Sequence, residues 1–256
     1  MSEPSTPTLP LPPPIAQLVS DPGEWALFLD FDGTLVDLAA SPDAIQVPPA
    51  LSPLLSDLRE RFGGALAVLT GRALADLDRH LPGARLAAAG QHGAELRRHP
   101  QDRETVVESP ALGAARIEFE HFGAEHPGVF MEDKGASLAL HYRAAPEARA
   151  VLVALAETAA AASAGTLELI HGKAVCELRP AGSDKGRALR GFLAVPPFAG
   201  RRPLVLGDDV TDEEAFAAAL NAGGAAIKVG EGATCAHWRL ATPATARTWL
   251  AGILER

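Results

Sequence analysis

The sequence predicts an α/β protein: a doubly wound parallel-sheet (Rossmann-like) core with an inserted α+β cap lobe. Three observations lead there. Short, wholly apolar runs end in polar loops that carry acids or glycine. Segments with the three- and four-residue spacing of amphipathic helices separate those runs. Mid-chain, the runs come instead in adjacent pairs, and the alternation then resumes.

Trp25 to Leu29 is continuously apolar and runs into Asp30-Phe31-Asp32-Gly33-Thr34, as a parallel strand buried on both faces does at its end. Residues 49–62 place Leu51, Leu54, Leu55 and Leu58 at helical spacing. A second strand, 65–69, ends in Thr70-Gly71-Arg72, and a helix is expected from Ala73. Residues 86–89 lead into Gly90-Gln91-His92-Gly93. A helix is then expected over 111–122. Strands at 129–134 and 137–143 follow, turning at Gly135. Residues 146–162 form an Ala-rich helix with proline in its first turn. A second strand pair, 166–170 and 174–179, turns through His171-Gly172-Lys173. Ser183 is expected to cap a helix that ends at Leu193. The first pattern then returns, with strands at 203–206 and 225–229 and helices at 213–220 and 244–254. The core is therefore expected at residues 21–103 and 182–256 and the cap at 104–181. Residues 1–20 are set aside as a disordered, Pro-rich leader.

A chain of 256 residues can bury a large core. Its net charge of −9 argues against nucleic acid or an anionic membrane as partner, whereas a small anion depends only on local charge. No apolar stretch approaches twenty residues, and the N-terminus lacks the basic start and apolar core of an export signal. Cys176 and Cys235 are expected to be free thiols in a reducing compartment. The expectation is a cytoplasmic monomer with no nucleic-acid or membrane partner.

Three clusters stand at the carboxyl ends of the expected core strands: Asp30 to Thr34, Thr70-Gly71-Arg72, and Gly207-Asp208-Asp209-Val210-Thr211-Asp212. Open α/β sheets bind ligands outside such ends. One acidic loop would be weak evidence, and Asp212 alone could simply cap a helix. Several converging carboxylates repel one another unless a cation is present, and Mg²⁺, a hard ion that prefers oxygen ligands, is the simplest choice.

Asp-x-Asp-Gly-Thr resembles the first motif of haloacid-dehalogenase-type phosphohydrolases. Thr70, Lys185 and the Gly-Asp-Asp cluster resemble that superfamily's second, third and fourth motifs, in the same order. Alone, Lys185 would read as a surface lysine; the order of motifs argues otherwise. The resemblance implies a doubly wound sheet with inserted caps. It also implies a metal held by the side chains of Asp30 and Asp208 and the backbone carbonyl of Asp32, with Asp212 acting through a water. The residue types suit the chemistry: Asp30 attacks phosphate, and Lys185 and Mg²⁺ offset charge. Thr70 donates to a phosphate oxygen. Asp32 protonates the leaving group and later activates water. A receiver domain has similar acids, Thr and Lys, but lacks this acid/base and the inserted lobe.

The lobe narrows the resemblance. Glu132-Asp133-Lys134-Gly135, His141-Tyr142-Arg143 and Gly172-Lys173-x-Val175-x-Glu177-x-Arg179-Pro180 resemble trehalose-6-phosphate phosphatases, as do residues 90–95 and 207–213. The resemblance implies that Glu132, Lys134 and Glu177 hold the glucose unit remote from phosphate, with Arg143, Lys173, His92, Gly71 and Arg72 as further substrate contacts. The plainer alternative for the trio is a solvated, salt-bridged strand face. The activity implied is hydrolysis of trehalose 6-phosphate through an aspartyl-phosphate. Alternatives are a phosphatase for sucrose phosphate or glucosyl-glycerate phosphate, a phosphomannomutase, or a non-catalytic domain that binds a sugar phosphate. The last would be expected to lack Asp30 or Asp32, and both are present.

Overall fold

In a computed structural model of the chain, the described residues are 9–39, 44–106, 109–172 and 174–255. In chain order the elements are α1 (Ile15–Leu18), β1 (Trp25–Leu29), α2 (Leu51–Arg61), β2 (Leu66–Leu69), α3 (Leu74–His80), β3 (Ala87–Gly90), β4 (Glu95–Arg97) and β5 (Thr105–Val106). There follow α4 (Pro110–Glu125), β6 (Phe130–Asp133), β7 (Leu138–His141), α5 (Arg149–Ala162), β8 (Leu167–Gly172), β9 (Val175–Pro180) and α6 (Lys185–Leu193). The chain closes with β10 (Arg202–Gly207), α7 (Glu213–Asn221), β11 (Ala225–Val229), β12 (Trp238–Leu240) and α8 (Pro243–Ala251). The described residues fall into two compact units. One lies within Met1–Gly93, Arg97–Arg103 and Asp184–Arg256, the other is Ala94–Leu96 and Glu104–Ser183.

The first unit is built on parallel strands in the order β12-β11-β10-β1-β2-β3. The chain winds one way from β1 through β2 to β3, and the other way from β10 to β12. The order therefore switches beside β1, where such sheets open a crevice at their carboxyl ends. All five residues of β1 are buried, because both faces of the sheet are covered. Leu27 and Leu29 join a core cluster with Leu51, Leu55 and Leu58 of α2 and Ala246 and Leu250 of α8. Between them, Phe28 points the other way and packs on Phe192 of α6 and on Phe198. Period-2 alternation thus feeds two cores from one strand.

The second unit has an antiparallel sheet in the order β6-β7-β9-β8. Leu138, Leu140, Cys176, Leu178 and Leu167 lie on one face and share a cluster with Leu112, Phe119 and Phe122 of α4 and Leu152 and Ala156 of α5. The register aligns Glu132, Ala139 and Glu177 across β6, β7 and β9 on the opposite face. Phe130 and Ile170 share that face and are exposed.

The structure corrects two expectations and adds elements. Residues 10–19 of the supposed leader are ordered against the first unit. Ile15, Leu18 and Val19 have helical spacing, Ile15 and Val19 are buried, and Trp249 Nε1 donates to the Pro13 carbonyl at 2.8 Å. The cap of α6 is Asp184 rather than Ser183, because the N-cap oxygen must reach the amide three residues on, here that of Arg187. Strands β4, β5 and β12 were not anticipated, since two or three residues are too few to show an alternation. No helix among the described residues is long and apolar enough to cross a membrane.

Replacing Ile15 by Ala should lower stability by roughly 2–5 kcal/mol, as for other buried Ile-to-Ala truncations. Urea unfolding checks this; a loss below about 0.5 kcal/mol, the surface level, would mean that this segment does not pack in solution.

Candidate active site

The carboxyl ends of β10, β1 and β2 are adjacent, so the loops that follow them are brought together although they lie far apart in sequence. The Asp30 amide donates to the Leu206 carbonyl at 2.9 Å, and that of Thr70 to the Ala89 carbonyl at 2.9 Å, extending the strand ladders into the loops. These loops and the first turn of α6 line a cavity of about 530 Å³. Asp30, Asp32, Gly71, Arg72, His92, Lys185 and Asp208 all contribute to it, with Asp209 and Thr211 beside them.

Asp30 is 5% exposed. Lys185 Nζ lies 2.6 Å from its Oδ1 and 2.7 Å from Asp212 Oδ1, so one buried ammonium serves two carboxylates. Thr34 Oγ1 is 3.0 Å from Asp30 Oδ2 and 3.2 Å from Asp208 Oδ1; its single proton serves one at a time. Burial drives Asp30 well above the ordinary carboxylate range; Lys185 opposes this, while Asp212 and Asp208 add to it. Burial also raises Asp208; its bond to Asp30 opposes this and Asp212 reinforces it. For Lys185 burial works against the charge, but Asp30 and Asp212 outweigh it and hold the ammonium above its usual range. Removing that ammonium would leave two buried carboxylates uncompensated, a cost of about 3–5 kcal/mol.

Asp212 Oδ2 accepts the amides of Asp208 and Asp209, each at 3.0 Å. Its carboxylate thus folds the Gly207-Asp208-Asp209 loop back on itself. Asp30, Asp208 and Asp212 each offer an oxygen within 4.8 Å of the others. Such a set of hard, crowded carboxylate oxygens suits a hard divalent cation. Thr70 is buried, and its hydroxyl accepts the Arg72 amide at 3.1 Å.

Asp32 stands apart from this cluster. Both its oxygens are held by the Arg72 fork, Nε at 2.6 Å and Nη2 at 2.7 Å, and Arg72 Nη1 reaches Asp76 at 2.6 Å. Gly33 must be glycine on two counts. Its φ is +77°, and a Cβ would stand 2.0 Å from Asp208 Oδ2.

In the second unit, the Glu132, Lys134 and Glu177 group is joined by two residues the sequence reading had given no role there. Lys134 Nζ is 3.4 Å from Glu177 Oε2, Ser137 Oγ donates to Glu177 Oε1 at 2.6 Å, and His141 Nε2 is 3.1 Å from Glu132 Oε2. Arg143 is exposed in the turn after β7, and Lys173 lies outside the described residues. Thr34 was missed although it closes the Asp-x-Asp-Gly-Thr motif. Lys228 was missed too, and its signal was a lone lysine in the apolar run of β11. It is 3% exposed, and Nζ donates to the Asp209 carbonyl at 3.2 Å.

The family model for trehalose-phosphatase matches residues 28–243. The chain belongs to that family. A relative from Sinorhizobium fredii, described as a probable trehalose-phosphate phosphatase, is 45% identical over 217 residues, 84% of this chain and 82% of its own length. The trehalose-6-phosphate phosphatase of Escherichia coli is 38% identical over 239 residues, 93% and 89% of the two chains. A solved trehalose-6-phosphate phosphatase related protein is similar in structure, with a TM-score of 0.72 at 30% identity, over 89% of this chain and 96% of that one. The matched range covers both units, so the family accounts for the lobe as well as the acidic loops.

A Gly33→Ala variant should displace the Asp208 carboxylate and destabilise the protein by about 1–3 kcal/mol, the usual cost of forcing a methyl into filled space. Thermal denaturation checks this. An unchanged midpoint would mean that the loop opens to admit the methyl.

Proposed function

We propose that the chain hydrolyses trehalose 6-phosphate to trehalose and phosphate, with Asp30 as nucleophile and a covalent aspartyl-phosphate as intermediate. The observation that carries this reading is Asp30 itself. It is a buried carboxylate at the end of β1, oriented by Lys185 and Thr34, facing a cavity with a second carboxylate two residues along. Family membership supports the substrate.

An Asp30 oxygen attacks phosphorus in line as the bond from phosphorus to the sugar oxygen breaks. Asp32 gives its proton to that leaving oxygen. Water then attacks the same phosphorus, its proton passes to Asp32, and the bond to Asp30 breaks. Each pair of unit charges at ~4 Å costs about 4 kcal/mol at an effective dielectric of 20, so a carboxylate cannot approach a phosphate dianion unaided. Lys185 offsets part of this, and the Thr70 hydroxyl is assigned to a phosphate oxygen. Asp30 and Asp208, the backbone carbonyl of Asp32, and Asp212 through a water would hold Mg²⁺, which supplies positive charge against the phosphate when bound. Sugar selectivity is assigned to Glu132, Lys134 and Glu177, with Arg143 and Lys173 as further candidates. Among core residues His92 and Gly71, which line the cavity, are assigned to the phosphate end.

The test is phosphate release from a panel of sugar phosphates, with and without Mg²⁺. Trehalose 6-phosphate should be the preferred substrate and chelation should abolish turnover. Asp30→Asn should be inactive yet folded; comparable turnover by that variant would rule out the covalent mechanism. Preference for another sugar phosphate would leave the phosphatase and reassign its substrate.

Glu132→Ala, Lys134→Ala and Glu177→Ala should each lower kcat/KM for trehalose 6-phosphate roughly ten- to a thousand-fold, the span of one to three lost hydrogen bonds to charged groups. A small aryl phosphate, lacking the sugar, should be hydrolysed as by the parent. Equal loss on both substrates would show damage to folding instead of lost sugar recognition.

A further inference from the structure

We propose that Arg72 serves the reaction as the positioning residue of Asp32, not as a ligand of the phosphate. The inference rests on the reading of Asp32 as the acid and base of both half-reactions.

The geometry is a planar fork closed on two carboxylates. Arg72 Nε and Nη2 take one Asp32 oxygen each, at 2.6 and 2.7 Å, while Nη1 takes Asp76 Oδ2 at 2.6 Å. Asp76 is in turn held by Arg79 Nη2, at 2.5 Å. The guanidinium stands over the Phe31 ring, 5.8 Å from its centroid, and the Arg72 side chain is 8% exposed. Asp76 is not among the residues that line the cavity. Arg72 is thus anchored from behind, by a helix residue away from the substrate, and turned onto a group that faces it.

Asp32 needs such a holder. Its side chain is 27% exposed, so packing alone does not select one rotamer at the cavity wall. A bidentate fork fixes both the position and the plane of a carboxylate, which a single ammonium cannot do. The same carboxyl must meet the departing sugar oxygen in the first half-reaction and the attacking water in the second. Both oxygens occupy the same place on the phosphorus, so one fixed setting serves both. In the first, a bond forms from an Asp30 oxygen to phosphorus, the bond from phosphorus to the sugar oxygen breaks, and the Asp32 proton goes to that oxygen. In the second, the water oxygen bonds to phosphorus, the bond from phosphorus to Asp30 breaks, and the water proton goes to Asp32. Whichever Asp32 oxygen carries the proton gives up its Arg72 N–H for the reacting oxygen. The other stays on the fork as a pivot.

The test compares Arg72→Met, Arg72→Lys and Asp76→Asn with the parent on trehalose 6-phosphate and an aryl phosphate, and measures inhibition by inorganic phosphate. In Arg72→Met, kcat on the sugar phosphate should fall about 10- to 100-fold, the scale of a misplaced catalytic group. KM and the phosphate inhibition constant should stay within about three-fold, since ground-state binding is untouched. On the aryl phosphate, whose leaving group departs without a proton, the first burst should keep its rate while steady turnover falls. Asp76→Asn should show the same pattern, more weakly, and Arg72→Lys should not rescue it fully. Added to Asp32→Asn, Arg72→Met should cost nothing further.

A ten-fold or larger rise in KM and in the phosphate inhibition constant, with kcat kept, would make Arg72 a phosphate ligand and overturn the proposal. Additive losses with Asp32→Asn would overturn it too. If Arg72→Met fails to fold, Arg72→Lys and the near-isosteric Asp76→Asn carry the comparison. A parent that hydrolyses the aryl phosphate but no sugar phosphate defeats the substrate reading and leaves the burst comparison valid.

Discussion

A single buried ammonium joins parts of the core that arise far apart in the chain. Lys185 opens α6 and reaches Asp30, at the end of β1, and Asp212, beyond the end of β10. Both carboxylates are almost fully buried, and burial disfavours the charge of Asp30. The ammonium opposes that in part, and it can do so only if α6 comes close to the strand ends. Gly186 permits the approach, because a Cβ there would stand 2.4 Å from the Glu214 carbonyl of α7. The doubly wound sheet, the packing of α6 on α7 and the electrostatics of Asp30 are therefore one problem with one solution.

Two aspartates two residues apart are placed in opposite settings. Asp30 is sunk among Lys185, Thr34 and two other carboxylates. Asp32, with a partly exposed side chain, is gripped by a guanidinium. Gly33, directly after Asp32, makes the turn that follows, and its missing side chain leaves the space in which the Asp208 carboxylate sits. Charge and geometry thus place residues of identical chemistry in different surroundings.

The lobe follows a simpler rule. One face of its antiparallel sheet is apolar and packed on α4 and α5, and the other carries charged and hydroxyl groups in register. Ser137 and His141 meet the Glu177 and Glu132 carboxylates, so charges on the polar face are paired.

The alternation of apolar runs and helical periodicities determined the doubly wound core, and the strand pairs determined the lobe, because those patterns follow from local geometry and one-sided burial. The acidic and hydroxyl residues at strand ends were equally legible, since each motif is local. Tertiary structure alone decided which partner each residue meets. Nothing local distinguishes Lys185 from a surface lysine, and its role comes from contacts 155 and 27 positions away. Arg72 reads from sequence as one of several substrate contacts; in the structure its fork turns to Asp32, 40 positions away, and to Asp76. The packing of Ile15 and the burial of Lys228 escaped for the same reason: composition and short runs describe a residue's neighbours along the chain, whereas burial and charge compensation depend on neighbours across it.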